Sequence, residues 1–109
     1  MTMKDIVYSP DYQEKIRELR IWLDFKFGED IRKKVLNKID QKIHSLQTFE
    51  NLGASICDLY GIDTDYRVIH AEKNYIFYNT DEKQIYILNM FNEREDYMRK
   101  MFGVNWIDL

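Results

Sequence analysis

Cysteine is nearly absent from this chain of 109 residues, and Cys57 on its own cannot form an internal disulfide. It cannot build a zinc site either, because His44 and His70, the only histidines, have no ligand-like spacing with it. Neither a metal nor a cofactor is therefore expected. One proline and four glycines exclude collagen-like and low-complexity chains. No apolar run approaches the roughly 20 residues that cross a bilayer, so no membrane partner is expected. Met1 to Asp5 lack the apolar core of a secretion signal, and a reducing cytoplasm is the expected location. Basic residues are also in deficit, 16 against 19 acidic, for a formal net charge of -3. Binding nucleic acid by global charge alone is disfavoured by that balance. The deficit is uneven: residues 1–50 sum to +1 and residues 51–109 to -4.

What is abundant is core material. Hydrophobic residues make up 45% of the chain and aromatics 15%, enough for one folded domain, and the length leaves no room for a second. We expect a single domain over residues 1–109, with a core at 4–103 and a tail at 104–109.

The hydrophobic periodicity orders that domain. Lys4 to Tyr8 is short and β-prone. Ser9-Pro10 marks a helix start, Ser as N-cap and Pro at the first helical position, where its missing N–H is no loss. A helix follows to Phe27, with Tyr12, Ile16, Leu19, Leu23 and Phe27 as one buried stripe. Ile21, Trp22 and Phe25 lie off that stripe, which predicts a helix packed on two sides or offering one side to a partner. Gly28 ends it, and a second helix carries Ile31, Val35, Ile39, Ile43 and Leu46, with Lys34, Lys38 and Lys42 along a solvated edge. Arg32 falls in the apolar sector, where its stem can pack.

Asn51 to Gly53 and Gly61 to Asp63 read as loops, with Ile56 to Tyr60 extended between them. Three β-rich runs then follow, Asp65 to His70, Tyr75 to Asn79 and Gln84 to Phe91, joined by short turns as an antiparallel meander. Asn92 with Glu95 reads as a capping box opening a helix from Glu93 to Phe102. The fold class is α+β, in the order β-α-α-β-β-β-α: an N-terminal strand, an antiparallel helical hairpin on one face of an antiparallel sheet, and a short C-terminal helix. The other sheet face is expected to be uncovered, and is the first place to look for function.

Tyr8-Ser9-Pro10-Asp11 opens the first helix and Gly28 breaks the hairpin. Asp65-Tyr66-Arg67 starts the meander, Asn74-Tyr75-Ile76-Phe77-Tyr78 is its central strand, and Ile85-Tyr86-Ile87-Leu88 precedes Asn92-Glu93-Arg94-Glu95-Asp96-Tyr97 and Met101-Phe102-Gly103. In this order, that set of local sequences resembles the RelE/ParE superfamily of bacterial type II toxin–antitoxin toxins. The resemblance implies a small toxin held inactive by a cognate antitoxin. RelE-like members cut messenger RNA on the ribosome; ParE-like members share the fold but poison DNA gyrase. A homodimer stays open.

Cleaving RNA through its 2′-hydroxyl needs a base, an acid and positive charge at the phosphate. The resemblance offers Arg94 and Arg67 as the cations, with Tyr97 or His70 assisting. The basic residue of the central strand is replaced at or beside Tyr75, so the set is incomplete. That gap and the basic deficit of the meander half favour ParE-like inhibition by binding, with the ribosome-dependent nuclease as the alternative and a non-toxic binding protein as a third. Arg94 reads equally as a phosphate ligand or as an ion pair with Asp96. His70, an imidazole that could move protons near neutral pH, has no evident partner in the sequence. Trp22, Phe25, Tyr75 and Trp106 are the candidate partner contacts.

Overall fold

The computed structural model describes residues 3–103, so Trp106 and the rest of the expected tail lie outside the described residues. The chain forms β1 (Asp5–Tyr8), α1 (Pro10–Phe27), α2 (Glu29–His44) with a 3-10 turn at Ser45–Gln47, β2 (Ala54–Ser55), α3 (Ile56–Tyr60), β3 (Arg67–Ala71), β4 (Asn74–Thr80), β5 (Gln84–Asn92) and α4 (Tyr97–Phe102). This is the expected α+β class.

The helical hairpin forms for the reasons its sequence contains. Ser9 Oγ accepts the Tyr12 N–H at 3.0 Å as the N-cap of α1 and donates to the Leu88 carbonyl of β5 at 2.5 Å, pinning the helix start to the sheet. Gly28, at φ +87°, closes α1 on the Asp24 carbonyl and starts α2 at once. Ile39, Ile43 and Leu46 are buried, and with Tyr12 they pack against Ile69, Ile76, Tyr78, Ile85 and Ile87. At the hairpin tip the two stripes run out of sheet to cover, and Phe27 and Ile31 are exposed rather than buried. Arg32 lies as expected, stem packed and head shared between Asp24 and Glu29. Lys34 and Lys38 are solvated.

The five strands run in the order β1-β5-β4-β3-β2. One pairing departs from the antiparallel expectation: β1 joins β5 in parallel, because α1 and α2 intervene and return the chain to the other side of the meander. Between Phe77 and Tyr78 the β4–β5 register slips by one residue, so Ile87 and Met90 both reach the helical face.

Three further expectations are corrected. Residues 56–60 are helical, not extended: Ser55 Oγ caps the Asp58 N–H at 3.2 Å, and Gly61 closes the turn in the left-handed region. The last helix begins at Tyr97, not Glu93. Only half of the capping box forms, Glu95 Oε2 accepting the Asn92 N–H while Asn92 Oδ1 accepts from Arg94 instead of Glu95, and it lies within a turn that leaves β5. Asp96 is the true N-cap, accepting from Arg99. The second sheet face is not uncovered either. Short helices α3 and α4 lie on it, over a cluster of Ile56, Val68, Phe77 and Phe91 flanked by Tyr60, Tyr66, Tyr75, Tyr97 and Phe102.

Both turns of the meander carry testable energetics. Glu72 and Lys73 have φ of +50° and +66°, the positive pair of a two-residue hairpin turn that glycine and asparagine favour. We expect Lys73→Gly to stabilise the fold by roughly 1 kcal/mol, since relief of left-handed strain exceeds the entropy glycine adds to the unfolded chain; urea denaturation measures this, and a loss of stability would show the turn to be unstrained. At the other turn Asp81 accepts the N–H groups of Lys83 and Gln84 and the hydroxyl of Tyr86, each at 2.8 Å. The Lys83 N–H first, then Tyr86 and Gln84, hold its carboxyl below the ordinary 3.8. A depressed carboxyl stabilises the fold above its unfolded value and loses that contribution as pH falls through the folded one. Asp81→Asn is therefore expected to be less stable than the wild type at pH 7 and to converge with it as pH falls below the ordinary carboxyl value and through the depressed folded one, as read by thermal melts at falling pH.

Candidate functional site

The expected catalytic residues are set by strand register. His70, Tyr75 and Phe91 stand opposite one another across β3, β4 and β5. Arg67 stands opposite Tyr78, three positions along and of the other parity, so it faces the helical layer. There its Nη1 donates to the Gly53 carbonyl at 2.8 Å. Arg67 is therefore not brought to the face that carries His70 and Tyr97.

That face holds a chain of rings. His70 meets Tyr75 edge-on at 5.0 Å, Tyr75 lies 4.8 Å from Tyr97, and Tyr97 lies 5.3 Å from Phe77. The sequence suggested no partner for His70, yet its Nε2 is 2.8 Å from Glu93 Oε2. Glu93 arrives because its N–H donates to the Lys73 carbonyl, which draws the end of β5 against the β3–β4 turn. The Tyr97 hydroxyl is 2.6 Å from that of Tyr60, a pairing between α4 and α3. Burial, and then Tyr60, push the Tyr97 pKa well above that of a free phenol, which makes it a poor proton donor. Arg94 is exposed in the turn before α4. Tyr75, expected to contact a partner, is half-buried within the ring chain.

A different surface is built for contact. At the hairpin tip Phe25 is 90% exposed, Trp22 51%, and Ile21, Phe27 and Ile31 are exposed beside them. Trp22 and Phe27 meet edge-on at 5.6 Å. Side chains of this size bury about 150–250 Å² each when covered, so on the order of 500 Å² of apolar surface stands open, near the upper end for a monomer. The band borders a groove of about 200 Å³ between Leu19, Leu23 and Val35 on the helices and Glu72, Lys73 and Asn74 on the β3–β4 turn. Past Trp22 the groove widens into a hollow of about 330 Å³ that reaches Lys15 and Glu95. Lys15 closes that end, 3.8 Å over the Phe91 ring and bonded to the Met90 carbonyl at 2.9 Å. Trp22 and Phe25 were legible as off-stripe residues. Phe27 and Ile31 were not, since their spacing matches that of buried neighbours.

Among the described residues there is no cluster of His, Cys, Asp and Glu suited to a metal ion. Among them, too, no helix is long and apolar enough to cross a membrane.

Comparison with curated proteins gives no match. Among solved structures the chain is similar to one from the chromosomal ParDE toxin–antitoxin system of P. aeruginosa, with a TM-score of 0.67 and 16% identity, over 83% of this chain and 96% of that one. It is also similar to one from the DinJ-YafQ toxin–antitoxin complex of E. coli, with a TM-score of 0.52 and 19% identity, over 94% of this chain and 100% of that one. At these identities the likeness is one of fold. The family itself is given by sequence: the model of the ParE toxin of the parDE type II toxin–antitoxin system matches residues 6–97. The chain belongs to the ParE family of type II toxin–antitoxin toxins.

Proposed function

We propose that this toxin is held inactive in the cytoplasm by an antitoxin that covers the hairpin tip, and that once free it acts by binding, with DNA gyrase as its target. The observation that carries the reading is the exposed band of Ile21, Trp22, Phe25, Phe27 and Ile31, which no element of the described fold covers. A partner that lays an apolar helix face into the adjoining groove would remove that surface from water. Binding is favoured over bond-making because His70 and Tyr97, which share a face, are each engaged by another side chain and Arg67 does not join them. Arg67 faces the other layer, the Tyr97 hydroxyl is engaged by Tyr60, and His70 is engaged by Glu93.

Inducing the toxin alone is expected to arrest growth, and co-expression of the neighbouring reading frame to relieve the arrest. Arg94→Ala is expected to leave the arrest within about twofold of wild type, because Arg94 is an exposed turn residue and inhibition by binding needs no cation at a scissile phosphate. Primer extension on messages checks the mechanism. New 5′ ends inside translated frames that vanish in Arg94→Ala would establish cleavage and overturn the binding reading.

A further inference from the structure

The outer side of β1 is a strand edge whose backbone is only partly used. Among the described residues β1 pairs with β5 alone, so its other side lies at the border of the sheet. Asp5 and Ser9 donate their N–H groups to the Lys83 and Ile87 carbonyls, and backbone direction alternates along a strand. Lys4, Ile6 and Tyr8 therefore turn their backbone groups outward. Two side chains cap the ends of that row. Gln47 donates to the Lys4 carbonyl at 2.8 Å, and Gln13 to the Tyr8 carbonyl at 2.9 Å. Between the caps, the Ile6 N–H, the Ile6 carbonyl and the Tyr8 N–H have no hydrogen bond among the described residues.

Side chains alternate in the same way. Ile6 and Tyr8 pack into the core beneath the helices. Val7, between them, points to the opposite face and is 38% exposed. Edge strands are commonly guarded by a charge at such a position. Here a valine stands midway along the open row.

We propose that β1 pairs with β1 of a second copy, antiparallel about a two-fold axis at Val7, joining two toxin molecules edge to edge. Side chains fix the register. An axis at Asp5 would set carboxylate against carboxylate, and an axis at Ile6 would set the exposed Val7 against the Asp5 carboxylate. An axis at Val7 sets valine against valine in a close, non-hydrogen-bonded pair and leaves Asp5 opposite Ser9. Each Ile6 then faces Tyr8 of the other copy. The Tyr8 N–H donates to the Ile6 carbonyl, and the Ile6 N–H to the Tyr8 carbonyl, whose second lone pair is open beside Gln13. The unused groups of one copy thus satisfy those of the other. Beyond Tyr8 the ladder stops, because Ser9 caps α1 and Pro10 has no N–H to give. Reciprocity selects a second copy over a foreign strand: an added foreign strand presents a new open edge of its own, whereas the two-fold pairing closes both.

This contact goes beyond the antitoxin reading and does not depend on it. β1 lies beside Gln84 to Ile87 of β5, whereas the groove under the hairpin tip meets Asn92 at the other end of that strand. Antitoxin and second copy therefore have separate surfaces.

So short a ladder buries less than the roughly 1,200 Å² of a stable interface, and the dimer is expected to be weak, with a Kd on the order of 10–100 μM. Sedimentation of the purified full-length toxin from about 5 to 500 μM brackets that range. Hydrogen exchange over the same range locates the contact. The Ile6 and Tyr8 amides are expected to slow about threefold or more with concentration, while the Val7 amide, which faces β5, stays unchanged. Val7→Lys and Val7→Glu are each expected to stay monomeric, since like charges meet at the axis, and an equimolar mixture of the two to dimerise. Thermal melts check that both variants are folded. A wild type that remains monomeric at the highest concentration, or that dimerises without slowing Ile6 and Tyr8, overturns the proposal. So does protection of those amides that is independent of concentration, because the same chain would then already cover the edge. A dimer that survives Val7→Lys, or a mixture of the two charged variants that fails to form one, places the axis elsewhere and overturns it too.

Discussion

Gly53→Ala is expected to cost the fold about 2–4 kcal/mol, more than any other single-methyl change considered for this protein. A Cβ at position 53 would lie 2.7 Å from Tyr78 Cε1, 2.8 Å from its hydroxyl and 2.9 Å from the Val68 carbonyl. Tyr78 cannot yield, because it is wholly buried beneath the helical hairpin. Its hydroxyl accepts the Gly53 N–H at 2.9 Å and donates to the Glu50 carbonyl at 2.7 Å, so one phenol ties the 50–53 loop to the sheet. Burial raises the pKa of that phenol, which keeps it protonated and able to donate. Any movement that relieves the overlap breaks one of these bonds, and the Gly53 carbonyl that receives Arg67 moves as well. The measurement is a thermal melt, with a drop in Tm of at least about 10 °C. Tyr78→Phe separates the two contributions. It keeps the ring and loses both hydrogen bonds, and should cost about 1–3 kcal/mol. If Gly53→Ala costs no more than Tyr78→Phe, the steric overlap is not the cause.

Gly53 also marks where sequence reading stops. In the sequence it is a loop glycine like any other, since nothing local says that a tyrosine from position 78 lies against it. Elements whose causes are local were legible. Ser9-Pro10 and Gly28 bound α1, and Ile39, Ile43 and Leu46 repeat at helical spacing over enough turns to be recognised. At five residues α3 is too short to show a period, and only its caps, Ser55 and Gly61, could have revealed it. For α4 two acceptors stand four residues apart, Asn92 and Asp96, and the continuation of β5 into Asn92 decides for the second.

The candidate site was less legible, for two physical reasons. First, β3 is apolar on both faces, with Ile69 and Ala71 on one and Val68 on the other, so alternation alone could not assign Arg67 or His70 to a side. Second, the pairings that define the ring face are long-range: His70 to Glu93, Tyr97 to Tyr60. The off-stripe residues Trp22 and Phe25 needed neither. Aromatic residues off the buried stripe of an amphipathic helix must find a second packing surface or a partner, and that choice was readable directly.

The same isolation makes their replacement the largest expected effect on binding. Trp22→Ala and Phe25→Ala should each weaken the antitoxin complex by about 30-fold or more, which at 1.4 kcal/mol per tenfold corresponds to roughly 2 kcal/mol. Aromatic side chains that lose this much exposed area in a complex are the usual anchors of an interface. Folding should hardly respond. Phe25 is 90% exposed and its removal is expected to change stability by no more than about 0.5 kcal/mol. Trp22 packs its edge on Phe27 and lines the groove, so its removal should cost the fold about 1 kcal/mol. The double variant need not show the sum of the two, because the residues sit one helical turn apart on the same band. Calorimetry against the antitoxin, with melts of the free toxin as control, separates binding from folding. In cells the double variant should arrest growth even when the antitoxin is co-expressed, since the antitoxin would no longer hold the toxin. Neutralisation at wild-type strength would mean that the antitoxin grips the toxin elsewhere, and that the open band at the hairpin tip serves some other contact.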